Sequence, residues 1–288
     1  MKYKNILLTG ASGELGRTIS GSKIFSHLLT PSRETLDITK SNSIKKFFGN
    51  NDFDAVIHCA ALARMGECEE NPIKAIETNI IGTCNLASEI MNKEKNENKN
   101  SGSFQKKLLG SGRHQSLQGS PRRTLPKQTI RFIHMSTDGV YPGTKGNYSE
   151  KDETMPYNTY GWTKLGAECA VNALSNFCII RTSFFDPGNI KFEDAAVDAY
   201  SSKLPIDSIV KAISILLNSD FTGTINIGRE RRSDYEHYKE FKPDIKKCKL
   251  ADIKKTIQFG MYKDSSMDIS LWKKIESTGN KNTQSRQQ

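Results

Sequence analysis

The sequence predicts an α/β fold in which a parallel sheet carries helices on both faces. Three observations predict it. Short apolar runs ending in small residues alternate with longer segments of helical spacing, a glycine-spaced turn follows the first apolar run, and 288 residues suffice for one large domain with a sizeable core.

The elements follow in order. KNILLTG (4–10) is a short buried strand running into glycine, and IFSHLLT (24–30) is the second strand. SNSIKKFF (41–48) has helical spacing with Ser41 as its N-cap, and DAVIHCAA (54–61) is a strand leading into small residues. NPIKAIETNIIGTCNLASEIM (71–91) reads as one long helix with Pro72 near its first turn. IRFIHMS (130–136) is the next strand, residues 158–174 are helical, and FCIIRTS (177–183) is again a strand. Strand, helix and strand in repetition give parallel pairing through crossovers. No internal repeat is visible.

Between residues 92 and 128 the pattern stops. This stretch holds nine Lys or Arg against two Glu, a net of +7 out of +10, so the rest of the chain carries only +3. Rich in Asn, Lys, Gly, Ser and Gln, it cannot bury enough surface to offset its ordering entropy. It reads as a flexible insertion, either a solvated loop or a functional basic arm. With the basicity confined there, no nucleic-acid partner is expected. The six cysteines show no CxxC pairing and no histidine at ligand spacing, which predicts reduced thiols and no metal site. The apolar run in MKYKNILLTG is too short for a signal peptide, and no run approaches about 18 apolar residues, so no membrane partner and a cytoplasmic protein are expected. The expected organisation is a nucleotide-binding domain over 1–183, a substrate-binding region over 184–275 interleaved with the last sheet elements, and a disordered tail over 276–288.

Chemistry concentrates at the ends of the strands. In TGASGELG, Gly10, Gly13 and Gly16 form a strand-to-helix turn that lets backbone approach a pyrophosphate, whose charge meets the positive end of the helix. That placement, after the first strand and opening a helix, points to a Rossmann-type doubly wound sheet. After the second strand comes TPSRETLDIT. Ser32 and Arg33 favour the 2′-phosphate of NADPH, whereas Glu34 as a ribose carboxylate would leave NADH possible. Asp37 is expected by the adenine. In YGWTK, Tyr160 and Lys164 stand four apart and share a helix face, where a cation would lower the phenol pKa and fit it for proton exchange with a carbonyl oxygen. A surface Tyr/Lys pair is the alternative. HMSTDGVY delivers Ser136, Thr137 and Asp138 to the carboxyl edge of the sheet, where ligands bind in open α/β folds.

Taken together, TGASGELG, LDIT, HCAA, STDGVY, YGWTK and RTS occur in the order found in extended short-chain dehydrogenases/reductases. Within them the chain is most similar to the dTDP-4-dehydrorhamnose reductase group, over residues 4–91 and 129–183 and only loosely beyond. The resemblance implies catalytic roles for Thr137, Tyr160 and Lys164. It implies cofactor contacts at Gly10, Ser12, Gly13, Glu14 and Leu15, at Ser32, Arg33, Asp37 and Ile38, at Cys59, Ala60, Ala61 and Leu62, and at Tyr160 and Lys164. Substrate contacts would fall to Thr137, Asp138 and Phe184. The implied activity is NAD(P)H-dependent reduction of a keto group on a nucleotide-activated sugar, a step of dTDP-rhamnose biosynthesis, in a possible homodimer. An NAD-dependent nucleotide-sugar epimerase and a non-catalytic subunit resembling the methionine adenosyltransferase β subunit are the rival readings.

Departures from the group also inform. Gly139 follows Asp138 where dehydratases carry Glu and rhamnose-type reductases an aromatic residue, so dehydration is not expected. Residues 184–205 look shortened, and Met261-Tyr262 stands where the group often shows Arg-Pro. Loss of that arginine would weaken diphosphate recognition. Arg229, Arg231 and Arg232 in GRERR either compensate or form an exposed charge run.

Overall fold

The computed structural model describes residues 2–108 and 129–284. The first half runs β1 (Ile6–Thr9), α1 (Glu14–Gly21), β2 (Leu28–Leu29), α2 (Ser41–Asn50), β3 (Ala55–His58), α3 (Met65–Glu70), α4 (Pro72–Ile76), α5 (Gly82–Leu108), β4 (Arg131–Met135), α6 (Thr159–Val171) and β5 (Phe177–Thr182). Then follow β6 (Phe184–Phe185), β7 (Asp194–Ala196), β8 (Tyr200–Ser201), β9 (Leu204–Pro205), α7 (Ile206–Asn218), β10 (Gly223–Ile227), β11 (Arg232–Ser233), α8 (Asp234–Lys239), β12 (Lys246–Cys248), α9 (Leu250–Thr256) and α10 (Ser270–Gln284). Six strands form one sheet in the order β10-β5-β4-β3-β1-β2, every pair parallel. This is the doubly wound Rossmann architecture, with the reversal of strand order beside β1.

The strands are mostly apolar because both faces of the sheet are covered. Ile6 and Leu8 of β1 join Leu15, Ile19, Ile213 and Trp272 on the α1, α7 and α10 side. Leu7 between them joins Phe47, Phe48, Leu86 and Ile90 on the α2 and α5 side. The period of two thus feeds two cores from one strand.

Four local expectations change. The second strand shrinks to Leu28–Leu29, because Phe25 turns into the α1-side core instead of continuing the ladder. The N-cap of α2 is Lys40, not Ser41, and makes no side-chain cap bond, while Ser43 Oγ accepts from the Asp37 N–H at 3.0 Å. The helix expected over 71–91 is interrupted by a π-helical turn, Glu77–Ile81. Finally, α5 continues past residue 92 to Leu108, so the first part of the expected insertion is helical. Two side chains tie it down. Glu94 is buried and accepts from the Ile130 N–H at 2.9 Å, and Lys93 Nζ sits 4.9 Å from the Phe53 ring centroid. Residues 109–128 lie outside the described residues. Likewise the expected tail continues α10 to Gln284, nucleated by Trp272 and Ile275 against the core, and 285–288 lie outside the described residues.

Candidate active site

The turn after β1 is built for close approach. Gly10 has φ +73°, and a Cβ there would lie 2.5 Å from the Ala60 nitrogen. A Cβ on Gly16 would lie 2.2 Å from the Gly10 carbonyl oxygen, so the third glycine sets α1 against the turn. The space so left is a cleft of about 450 Å³ at the carboxyl edge of β1, β2 and β3. Of the expected cofactor residues, Gly10, Ser12 and Gly13 line it, as do Ser32, Arg33, Asp37 and Ile38 beyond β2, and Cys59, Ala60 and Ala61 beyond β3. Glu14 is exposed on α1, and Leu15 turns into the core. Leu62, Tyr160 and Lys164 lie outside this lining.

Charges in the cleft are already sorted. Glu34 takes a 2.6 Å hydrogen bond from Ser32 Oγ and does not line the cleft. Asp37 does line it, accepting from Thr39 Oγ1 at 2.6 Å and the Thr39 N–H at 3.0 Å, contacts that hold its carboxyl below the usual carboxylate range. The exposed Arg33 guanidinium reaches only to 3.9 Å from Asp37.

The π-helical turn delivers Asn79 inward. Its Oδ1 accepts from the Leu62 N–H at 2.7 Å, and its Nδ2 donates to the Leu62 carbonyl at 3.0 Å and to Thr163 Oγ1 at 2.8 Å. One buried amide therefore ties the loop after β3 to α6. The start of α6 is fixed as tightly. Asn158 Oδ1 accepts from the Gly161 N–H at 2.8 Å, and the Glu69 carboxylate accepts from the Thr159 N–H and hydroxyl at 2.8 and 2.6 Å. A Cβ on Gly161 would stand 2.3 Å from the Gly139 carbonyl oxygen. Glycine within YGWTK is thus what lets α6 lie against the turn that carries Thr137 and Asp138.

Thr137 Oγ1 donates to Asp138 Oδ1 at 3.2 Å and accepts from the Gly139 N–H at 3.1 Å. Asp138 also accepts from Ser265 Oγ at 2.8 Å; burial pushes its carboxyl up to about 6, against the opposing pull of Ser265, Lys203 and Thr137. Burial likewise raises the Tyr160 phenol above its ordinary value, with Asp138 and Cys68 adding to the effect. The expected depression by Lys164 is therefore not found. The ammonium is directed elsewhere, 3.3 Å from His134 Nε2 on β4, and burial brings Lys164 down to about 8. One turn further along α6, Glu168 accepts from Ser136 Oγ at 2.6 Å and from Arg181 Nε and Nη2 at 3.0 and 2.7 Å.

The C-terminal region closes over this edge. Lys203 is buried and donates to Asp234 at 2.8 Å and to the Tyr238 and Tyr262 hydroxyls at 3.0 Å each. Phe184 on β6 pairs with Leu204 and packs on the α1-side core. The three arginines do not stand free: Arg229 and Arg232 pair with Glu240 at 3.0 and 2.9 Å, and Arg231 with Asp264 at 2.7 Å. A second cleft of about 430 Å³ opens between α7, α10 and the turn after β10, without Thr137, Tyr160 or Lys164 in its lining. His134, Asn79 and Lys203 were missed in the sequence. A histidine inside the largely apolar IRFIHMS was the legible signal for the first; the others depend on contacts between separate segments, such as Asn79 with Thr163 and Lys203 with Tyr262.

Comparisons with known proteins agree with this geometry. The sequence profile of the NAD dependent epimerase/dehydratase family matches residues 6–190. A dTDP-4-dehydrorhamnose reductase of Mycolicibacterium smegmatis is 27% identical over 186 residues, covering 63% of this chain and 46% of that protein. The methionine adenosyltransferase 2 subunit beta of Mus musculus is 27% identical over 177 residues, covering 58% and 42%. The chain thus spans about half the length of the curated relatives it matches. The structure of dTDP-4-dehydrorhamnose reductase from Bacillus anthracis in complex with NADP superposes with a TM-score of 0.70 at 19% identity, covering 95% of this chain and 91% of that one, and so shares the fold. With its glycine turn, its cleft and its Tyr160/Lys164 helix inside the matched segment, the chain belongs to the NAD dependent epimerase/dehydratase family.

Proposed function

We propose that the protein is an NADPH-dependent reductase of a keto group on a nucleotide-activated sugar. The observation that carries this reading is a glycine-floored cleft at the carboxyl edge together with α6, which bears Tyr160 and Lys164 and lies close against the turn that follows Thr137. The cleft fits the cofactor, since Gly10, Ser12 and Gly13 line it just before the N-terminus of α1, where a pyrophosphate would be held. Arg33 and Ser32 would hold the 2′-phosphate, with Glu34 turned away onto Ser32. When bound, NADPH supplies a hydride. Tyr160, kept protonated by burial, gives its proton to the carbonyl oxygen. Thr137 would turn its hydroxyl from Asp138 to that same oxygen, and Lys164 would hold the nicotinamide ribose.

A reducing, cytoplasmic setting is part of the proposal, supported by six free cysteines. Among the described residues no helix is long and apolar enough to cross a membrane. Exposed Ile73, Ile81 and Trp162, on the adjoining α4, π-turn and α6, support a homodimer through that face.

The test is NADPH oxidation against a panel of keto-sugar nucleotides. Tyr160→Phe keeps the ring and is expected to lose on the order of 10²–10⁴ in turnover while still binding NADPH. Near-normal turnover would return the tyrosine to a structural role. A second reading is favoured by the similarity to the methionine adenosyltransferase subunit and by the internally neutralised Lys203: a chain that binds the cofactor but regulates a partner. NADPH binding with no oxidation across the whole panel selects it.

A further inference from the structure

Lys164 has several polar neighbours, and all but one are committed elsewhere. On β3, His58 uses both ring nitrogens, Nδ1 with Thr9 Oγ1 at 2.7 Å and Nε2 with Thr83 Oγ1 at 3.0 Å. Cys59 beside it is a neutral thiol, pushed up to about 12 by burial. On α6, Glu168 is occupied by Ser136 and by the two-pronged contact from Arg181 on β5. On β4, His134 is different. Its Nε2 faces the ammonium at 3.3 Å, and its Nδ1 is buried without a hydrogen-bond partner among the described residues. With Nε2 accepting, the tautomer must carry its proton on Nδ1. An imidazole N–H left unsatisfied in a core costs stability, and such a group needs an explanation.

We propose that His134 is a positioning residue for Lys164, a neutral imidazole that holds the ammonium at the carboxyl edge of the sheet where the nicotinamide ribose would meet it. The inference rests on the reductase reading of the site. Burial and the nearby Lys164 charge keep His134 from protonating, so it accepts a hydrogen bond without adding charge. A carboxylate in its place would bind the ammonium more strongly and draw it away from the cofactor. An apolar side chain would leave a buried ammonium with no acceptor.

The experiment titrates Lys164 directly, by carbon NMR of apo protein carrying lysine labelled at Cε, in the parent and three variants. The parent midpoint is expected at about 8. His134→Leu should lower it by about one unit or more, and His134→Asp should raise it by a similar amount. His134→Gln, whose amide oxygen can accept the same bond, should stay within about half a unit of the parent. NADPH titration should show a dissociation constant about tenfold weaker for Leu and near parental for Gln. Unchanged midpoint and affinity in His134→Leu, or Gln behaving as Leu does, overturns the proposal. If the Leu variant fails to fold by thermal melting, the raised midpoint expected of Asp and the near-parental one expected of Gln decide it. The titration requires no substrate, so a parent that reduces no keto sugar sinks the reductase reading while the lysine midpoints still judge His134.

Discussion

Arg33 is the residue on which the choice of cofactor turns. Its guanidinium is exposed at the cleft mouth and only loosely tethered to Asp37, which leaves its fork available to a phosphate. Arg33→Ala is expected to weaken NADPH binding roughly tenfold or more and leave NADH binding nearly unchanged, since only NADPH has a 2′-phosphate to lose. Equal losses in parallel titrations would remove Arg33 from that role. The side chains with local signatures were legible: Thr137 by its place after an apolar strand, Tyr160 and Lys164 by their four-residue spacing. What Lys164 touches was not. Its partner His134 lies 30 positions earlier on a strand, and nothing in YGWTK encodes that pairing. The same gap misjudged Tyr160, whose phenol responds to its burial and to Asp138 more than to the nearby lysine.

Among the elements, α6 is held to a close tolerance. Gly161→Ala would drive a methyl to 2.3 Å from the Gly139 carbonyl oxygen, a backbone atom that cannot step aside. The helix must shift instead, so the expected cost is about 1–3 kcal/mol of stability together with a large fall in turnover. Gly166→Ala on the same helix is the control. There the methyl meets the Ile80 side chain, which can move to another rotamer, so activity should persist; chemical denaturation and the NADPH assay compare the two. If both variants behave alike, the close approach of α6 to the 138–140 turn is not what positions Tyr160. The strands and long helices were legible as periodic runs. The π-helical turn was not, because one extra residue leaves the pattern of 71–91 looking regular while rotating Asn79 inward.

At the scale of the molecule, three histidines among the described residues are buried and held neutral: His58 at about 3, His237 at about 4, and His134 well below its ordinary value, all chiefly through burial. Their folded pKa values lie below the unfolded value near 6.5, so their contribution is present above that pH and is lost as the pH falls. Asp138, raised to about 6, acts in the opposite sense between roughly pH 4 and 6, but it is one group against three. Stability from urea unfolding is therefore expected to drop by on the order of 3 kcal/mol between pH 6.5 and 5. A flat profile over that range would mean the histidines are not neutral in the fold. At this scale the sheet was legible from alternation, whereas the C-terminal region was not, because its contacts join short strands such as β8 and β11 across 30 residues. The Glu168–Arg181 pair gives this division a further meaning. It clamps α6 to β5 through a buried two-pronged contact. Tyr160 and Lys164 thus take their register from a buried fixture further along the same helix. Met261, half-buried beside Tyr157, can then change toward a new ligand while Tyr160 and Lys164 keep their alignment, a separation that lets one frame be inherited while its specificity is rewritten.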